Sequence, residues 1–393
     1  MVTSRNRRNG DRKTQLAQVA AELFRARGYH GVGINDIAAA AGLTGPALYR
    51  HFADKQSVLS YVLLSAVRDM EAETTAALST LERPSGEQVD QLLSRIASAS
   101  VERRDVAALW RWEGRNLSPE DQREIGKRSS TLLTTWAKVL LDVRPELPGA
   151  DAELLCWAAL SVFGSVSVHH TTVAKRRFER LLVDIAKRVL STDVPKPVTA
   201  GPAPAPLGVG SPSRREQVLL AAAELFGRRG FHAVSMEDIG AAAGIAGPSV
   251  YRHFPSKASL AYAIGRRAGD RLVLGAEEIL RTSSDEAEAL GRLVESYVRN
   301  ITGSPELVVS FSVGGMHLGE TERAELLRIQ RDYVARWVDL LGTARPELGA
   351  REAKITVHAA LTIANDLART RRVLARPNLP AELIALMTAA LGR

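Results

Sequence analysis

One cysteine, Cys156, stands in a chain of 393 residues. That excludes an intramolecular disulfide and any multi-cysteine metal site, and it fits a reducing interior. Long apolar runs are lacking as well. No stretch approaches the roughly 18 consecutive apolar residues of a membrane span, and the basic opening MVTSRNRRNGDRK is not followed by the apolar core of a secretion signal. These absences point to a soluble, cytoplasmic protein without a membrane partner. Catalytic signatures are also missing. No nucleophile with a neighbouring base, carboxylate pair, metal-ligand cluster or phosphate-binding glycine loop occurs at telling spacing, so the chain reads as a non-enzyme without a cofactor or metal. His169 and His170 are adjacent, and neighbours on a helix point about 100° apart, which argues against a shared metal.

What the chain does have is positive charge, punctuation and repetition. Its formal net charge is +8, a balance that favours polyanionic partners. Between Ser191 and Ser213, six prolines and three glycines fill 23 positions and interrupt any helix or central strand. Residues 191–213 therefore read as a linker, able to span on the order of 70 Å if extended as polyproline helix.

On either side of it the same message is written twice. Leu16, Val19, Ala20, Leu23 and Phe24 form one helical face, and Val218, Ala221, Ala222, Leu225 and Phe226 repeat it at an offset of 202. From Ala21 to Lys55 against Ala223 to Lys257, 21 of 35 positions are identical. Gly28 and Gly230 end the first helices, short helices are predicted over 34–41 and 236–243, and Gly42 and Gly244 end those. Further amphipathic helices are predicted over 55–82, 87–103, 119–143, 151–173 and 176–190, with a parallel series in the second half. The later repeat is weaker but visible in Trp136 and Trp337, and in RPEL at Arg144 and Arg345, now offset by 201.

Three short helices, the last two joined by a tight glycine-containing turn, form a helix-turn-helix whose second helix enters the major groove of DNA. Leu48 with Phe52, and Val250 with Phe254, share faces that close the small core. The remaining side chains are left for DNA. Thr44 can cap the recognition helix, Pro46 suits its first turn, and Ala47 permits close approach to base edges. Tyr49, His51 and Lys55 offer donors for phosphates. Gly247, Pro248, Ser249, Tyr251, His253 and Lys257 are the matching set, and Gly45 and Gly247, which have no side chain, leave direct readout at the helix start sparse.

Both openings, AAELFRARGYHGVGINDIAAAAGLTGPALYRHFADK and AAELFGRRGFHAVSMEDIGAAAGIAGPSVYRHFPSK, resemble the DNA-binding domain of the tetracycline-repressor (TetR) family of bacterial transcription regulators. The resemblance implies an all-α chain of two units, each a three-helix DNA-binding domain followed by a helical ligand-binding and dimerisation domain. The expected divisions are 1–53, 54–190, linker 191–213, 214–255 and 256–393. The family normally pairs two subunits on a near-palindromic operator. Fusion lets one chain act as its own pseudo-dimer on double-stranded operator DNA, with recognition helices about one DNA turn apart. A scaffold that has lost DNA binding, or two chains with four reading heads through further self-association, are the alternatives.

The halves differ where specificity is decided. Thr44 and Ala47 become Ala246 and Ser249, so an imperfect palindrome read partly through DNA shape is expected. In the family a Ser or Thr caps the second helix and touches phosphate. Ser235 fits that pattern and Gly33 does not. For an unknown small-molecule effector, Trp110, Trp112, Glu113, Arg115, Asn116 and Phe163 mix polar groups with aromatics in the first half. Aligned on the shared tryptophan, the second half has Gly314 and Met316 opposite Glu113 and Arg115, so the polar set belongs to the first half.

Overall fold

Apolar periodicity becomes helix in every regular element of the computed structural model. It describes residues 2–79, 86–104, 109, 113–196, 213–304, 306–307 and 318–393, without the side chains of residues 2–11, Arg115 and Arg371. No strand occurs among the described residues. Two units are defined by their internal contacts, Met1–Ser191 and Thr192–Arg393. Most of the predicted linker, and with it Trp110 and Trp112, lies outside the described residues.

In the first unit the order is α1 (Val2–Arg27), α2 (Ile34–Ala40), α3 (Gly45–Tyr49), α4 (Lys55–Leu78), α5 (Gly86–Glu102), a 3-10 turn at Gly114–Asn116, α6 (Pro119–Val143), α7 (Gly149–Gly164), a second 3-10 turn at Ser165–Ser167, and α8 (Lys175–Leu190). Helices α1 to α3 close on Leu16, Ala20, Phe24, Ile37, Leu48 and Phe52, each at most 3% exposed, with Val58, Leu59 and Val62 of α4 completing the core. Burying a side chain of Leu or Phe size contributes roughly 1.5–3 kcal/mol, so these few residues set the mutual angles of α2 and α3. Gly28 at φ 70° and Gly42 at φ 66° occupy the left-handed region that ends helices cheaply only for glycine. Asp54 starts α4 by accepting the Ser57 N–H at 2.7 Å.

The helix predicted over 151–173 stops at Gly164. There the hydroxyls of Ser165 and Ser167 donate to the carbonyls of Val162 and Gly164 at 2.6 and 2.8 Å, and the chain tightens into the 3-10 turn. The stretch Gly149–Ser167 is also more apolar than a reading by consecutive residues suggests, since it is long and apolar enough to cross a membrane. However, 61% of it is buried inside the protein, as befits a core helix apolar on all sides.

The second unit repeats the order with α9 (Arg214–Arg229), α10 (Met236–Ala242), α11 (Gly247–Val250), α12 (Lys257–Thr282), α13 (Glu286–Gly303), α14 (Glu320–Ala344), α15 (Ala350–Leu367), a one-turn α16 (Arg371–Leu374) and α17 (Leu379–Leu391). Val218, Ala222, Phe226, Ile239, Val250 and Phe254 rebuild the small core. Its larger domain carries an aromatic cluster of Tyr297, Tyr333 and Trp337, with ring centroids 6.0 to 6.3 Å apart.

Candidate nucleic-acid interface

Each recognition helix is little more than one turn, framed by proline at its start and a buried aliphatic near its end. Pro46 and Pro248 stand in first turns, where no intrahelical donor is needed. Leu48 and Val250 are fully buried and anchor α3 and α11 to their cores. With that face committed, the others turn outward. Thr44, Pro46 and Tyr49 are exposed, as are Pro248 and Tyr251, while Gly45, Ala47, His51, Gly247, Ser249 and His253 are half-buried. Tyr49 at 53% and Tyr251 at 49% exposure stand in solvent at matching places of the two heads.

Thr44 stands at the N-cap of α3, but its side chain makes no cap hydrogen bond. Ser235 is different. Its hydroxyl accepts the Asp238 N–H at 3.0 Å and its backbone N–H donates to the Asp238 carboxylate at 2.9 Å, closing a capping box on α10. The Ser235 backbone and hydroxyl donors hold Asp238 below the usual carboxylate range.

The lysines read as phosphate ligands are engaged within the fold. Lys55 Nζ donates to the carbonyls of Tyr29 and Val32, both at 2.8 Å, and lies 4.2 Å from the centre of the Tyr29 ring. Lys257 Nζ donates to Val234 at 2.8 Å and lies over Phe231. Desolvation lowers the pKa of both, partly opposed at Lys55 by Glu113 and Asp36. Each lysine closes the turn between the first two helices. The exposed cations beside the tyrosines are Arg50 and Arg252, which sequence reasoning passed over although both repeats spell Tyr-Arg-His-Phe. A second conserved pairing within the chain places Lys13 over Phe52 at 5.0 Å and Arg215 over Phe254 at 4.6 Å. Around Lys13, His51, Phe52, Tyr61, Arg68 and Asp121 an open groove of about 370 Å³ runs along α4.

The profile of the family described as bacterial regulatory proteins, tetR family, matches residues 16–62 and again 218–264. The transcriptional repressor KstR2 of Rhodococcus jostii is 32% identical over 168 residues, which cover 42% of this chain and 82% of that repressor. This chain belongs to the TetR family. It carries two TetR-type units in tandem and is a DNA-binding transcription regulator, not an enzyme. The transcriptional activator FasR of Mycolicibacterium smegmatis is 43% identical over 84 residues, covering 21% of this chain and 38% of the activator. Among solved structures, the ketosteroid transcriptional regulator KstR2 of Mycobacterium tuberculosis aligns over 44% of this chain and 92% of its own, at 21% identity and a TM-score of 0.40.

In this TetR-family chain the residues read as an effector site part company. Phe163 is a core residue of α7, 1% exposed. Trp110, Trp112 and the Arg115 side chain lie outside the described residues. Glu113 and Asn116 sit where the regulatory domain meets the DNA-binding domain: Glu113 accepts the backbone N–H of Tyr29 at 2.9 Å, and Asn116 faces His30 at 3.2 Å. Their polar groups thus bond across this junction. Sequence periodicity gives no sign of this, because the partners are more than 80 residues apart.

The second unit joins its two domains by charge. Arg267 of α12 bonds Glu216 of α9 at 2.5 and 2.6 Å and pairs with Glu306, to which Arg271 adds a bond at 3.2 Å. The position in the first unit that matches Glu306 at the 202 offset is Arg104, whose guanidinium instead donates to the carbonyls of Val166 and His169 at 2.9 and 2.8 Å. Duplication therefore kept the reading heads and changed what they rest on.

Proposed function

We propose that the chain is a ligand-responsive repressor that acts as an intramolecular pseudo-dimer on an imperfect palindrome with half-sites about one DNA turn apart. The observation that carries this reading is the pair of recognition helices, each presenting an exposed tyrosine, a half-buried histidine and a neighbouring arginine from an otherwise packed domain. Two heads in one chain, separated by a linker long enough to run from the end of one unit to the start of the next, meet the family's need for paired readers without a second chain. Repression is favoured over activation because the similarity to the repressor KstR2 extends over most of that protein, whereas that to the activator FasR covers its smaller part.

In this reading Tyr49, His51, Tyr251 and His253 contact phosphates, with Arg50 and Arg252 beside them. Thr44, Gly45, Pro46 and Ala47, against Gly247, Pro248 and Ser249, approach the bases. Their differences make the half-sites unequal. The Ser235 hydroxyl, already committed to the cap, adds less than its backbone. An effector bound in the first helical domain opposes operator binding reciprocally.

The test is selection of bound sequences from random duplex DNA, repeated with His51→Ala and with His253→Ala. A two-part site in which each substitution relaxes a different half supports the pseudo-dimer. A strictly symmetric palindrome counts against unequal half-sites, and a solution mass of two chains on one operator speaks for four heads instead.

A further inference from the structure

The turn between α1 and α2 is gripped by two opposite charges that come from outside it. From one side, Lys55 Nζ donates to the carbonyls of Tyr29 and Val32. From the other, Glu113 Oε1 accepts the N–H of Tyr29 at 2.9 Å, while its Oε2 accepts from Asn116 Nδ2 at 2.6 Å. The Asn116 carbonyl in turn accepts from Gln56 Nε2 of α4 at 2.8 Å, and its side-chain oxygen faces His30 Nε2 at 3.2 Å. Glu113 and the short 3-10 turn Gly114–Asn116 are thus bonded to the DNA-binding domain at Tyr29 and His30 and to the first turn of α4. Glu113 is 8% exposed, so its bond to the Tyr29 N–H is shielded from water and is a charge-assisted one.

The second unit has kept the lysine and lost the carboxylate. Lys257 holds Val234, but in the sequence the position aligned with Glu113 is Gly314, which brings no carboxylate. Among the described residues, its regulatory domain connects through Arg267 and Glu216 to the first turn of α9.

We propose that Glu113 is a positioning residue for operator recognition by the first reading head alone. By holding the Tyr29 N–H it sets α2 and α3 at a fixed angle on the regulatory domain, and displacement of the 113–116 turn releases this head while the second stays in place. The inference rests on the functional reading above and adds to it that the switch is one-sided: a signal arriving at this turn converts a two-headed binder into a one-headed binder.

The experiment uses the full chain and its Glu113→Ala and Glu113→Gln variants, read by amide hydrogen exchange and by binding to duplexes in which one or the other half-site is scrambled. A lost hydrogen bond to a charged acceptor corresponds to roughly tenfold to a hundredfold. Exchange in the peptide 28–33 is therefore expected to rise at least about tenfold in Glu113→Ala, with Glu113→Gln in between and the peptide 230–235 unchanged. Affinity for the duplex bearing only the first half-site falls with it, and affinity for the second half-site holds. Unchanged exchange at 28–33, or raised exchange with first-half affinity intact, overturns the proposal. If Glu113→Ala does not fold, the same comparisons apply to Glu113→Gln. Failure of the wild-type chain to select any sequence would sink the functional reading, and this inference with it, before a variant is made.

Discussion

Arg267 and Glu306 form an ion pair in which the carboxylate side chain is only 3% exposed. Such a pair is a weak source of net stability when intact, but removing one partner strands a buried charge. Arg271 supplies a second, more exposed cation to the same carboxylate, so the loss is partly cushioned. Arg267→Met is expected to destabilise the second unit by about 3 kcal/mol. Hydrogen exchange in residues 214–229 and 257–282 should rise accordingly while residues 12–27 and 55–78 keep their protection. The double change Arg267→Met with Glu306→Leu should recover most of the loss. A double variant as damaged as the single one would show that the arginine acts through packing.

A hydrogen bond of the first unit makes a parallel case in neutral groups. Trp136 Nε1 donates to Thr74 Oγ1 at 3.0 Å, with Thr74 4% and Trp136 3% exposed. Thr74→Val keeps the shape and removes the acceptor, which leaves a buried indole N–H and costs about 1–3 kcal/mol. Trp136→Phe in the Thr74→Val background should then be less harmful than Trp136→Phe alone. A double-mutant cycle by chemical denaturation measures the coupling, and a coupling near zero would contradict the bond's importance.

The reading heads were legible from the sequence because their causes are local. Spacing of Leu16, Ala20 and Phe24 writes the first helix, Gly28 and Gly42 end elements where left-handed φ is needed, and Leu48 with Phe52 points the recognition helix. The helix starts at 34, 236 and 119 follow from the same rules. What escaped is what depends on partners far along the chain. The bonds from Lys55 to the carbonyls of Tyr29 and Val32 are of this kind. So is the bond that Glu113 accepts from the Tyr29 N–H across 84 residues. Arg267, Glu216 and Glu306 carry no local signature at all.

The two heads also differ in how closely their helices cross. At Gly240 of α10 an added Cβ would lie 3.0 Å from the carbonyl oxygen of Ile245 and 3.1 Å from Gly247 Cα, both backbone atoms that cannot swing aside. The matching residue in α2 is Ala38, which is accommodated and buried. Gly240→Ala gains about 1 kcal/mol of helix propensity and sets against it an overpacking term of about 1–3 kcal/mol. The net expectation is a second unit less stable by ~1 kcal/mol, with α11 displaced and affinity for the second half-site reduced. Binding to the first half-site serves as the control. Unchanged second-half affinity would mean that α11 tolerates the shift.

Acid should act on the second unit through His358. This histidine of α15 is largely buried, and desolvation together with the nearby Lys354 pushes its pKa down to about 4. In the unfolded chain it titrates near 6.5. Between those values the unfolded state binds the extra proton, so stability falls as pH drops from about 6.5 and the loss is complete below about 4. A shift of this size corresponds to about 3 kcal/mol. His358→Gln, which never charges, should flatten that part of the curve. The check is the pH dependence of protection in α15, wild type against variant. The aligned residue of the first unit is Trp157, which does not titrate, so α7 has no matching acid sensitivity at that position. If the two chains lose protection in α15 in parallel between pH 6.5 and 4, the histidine is not the group responsible.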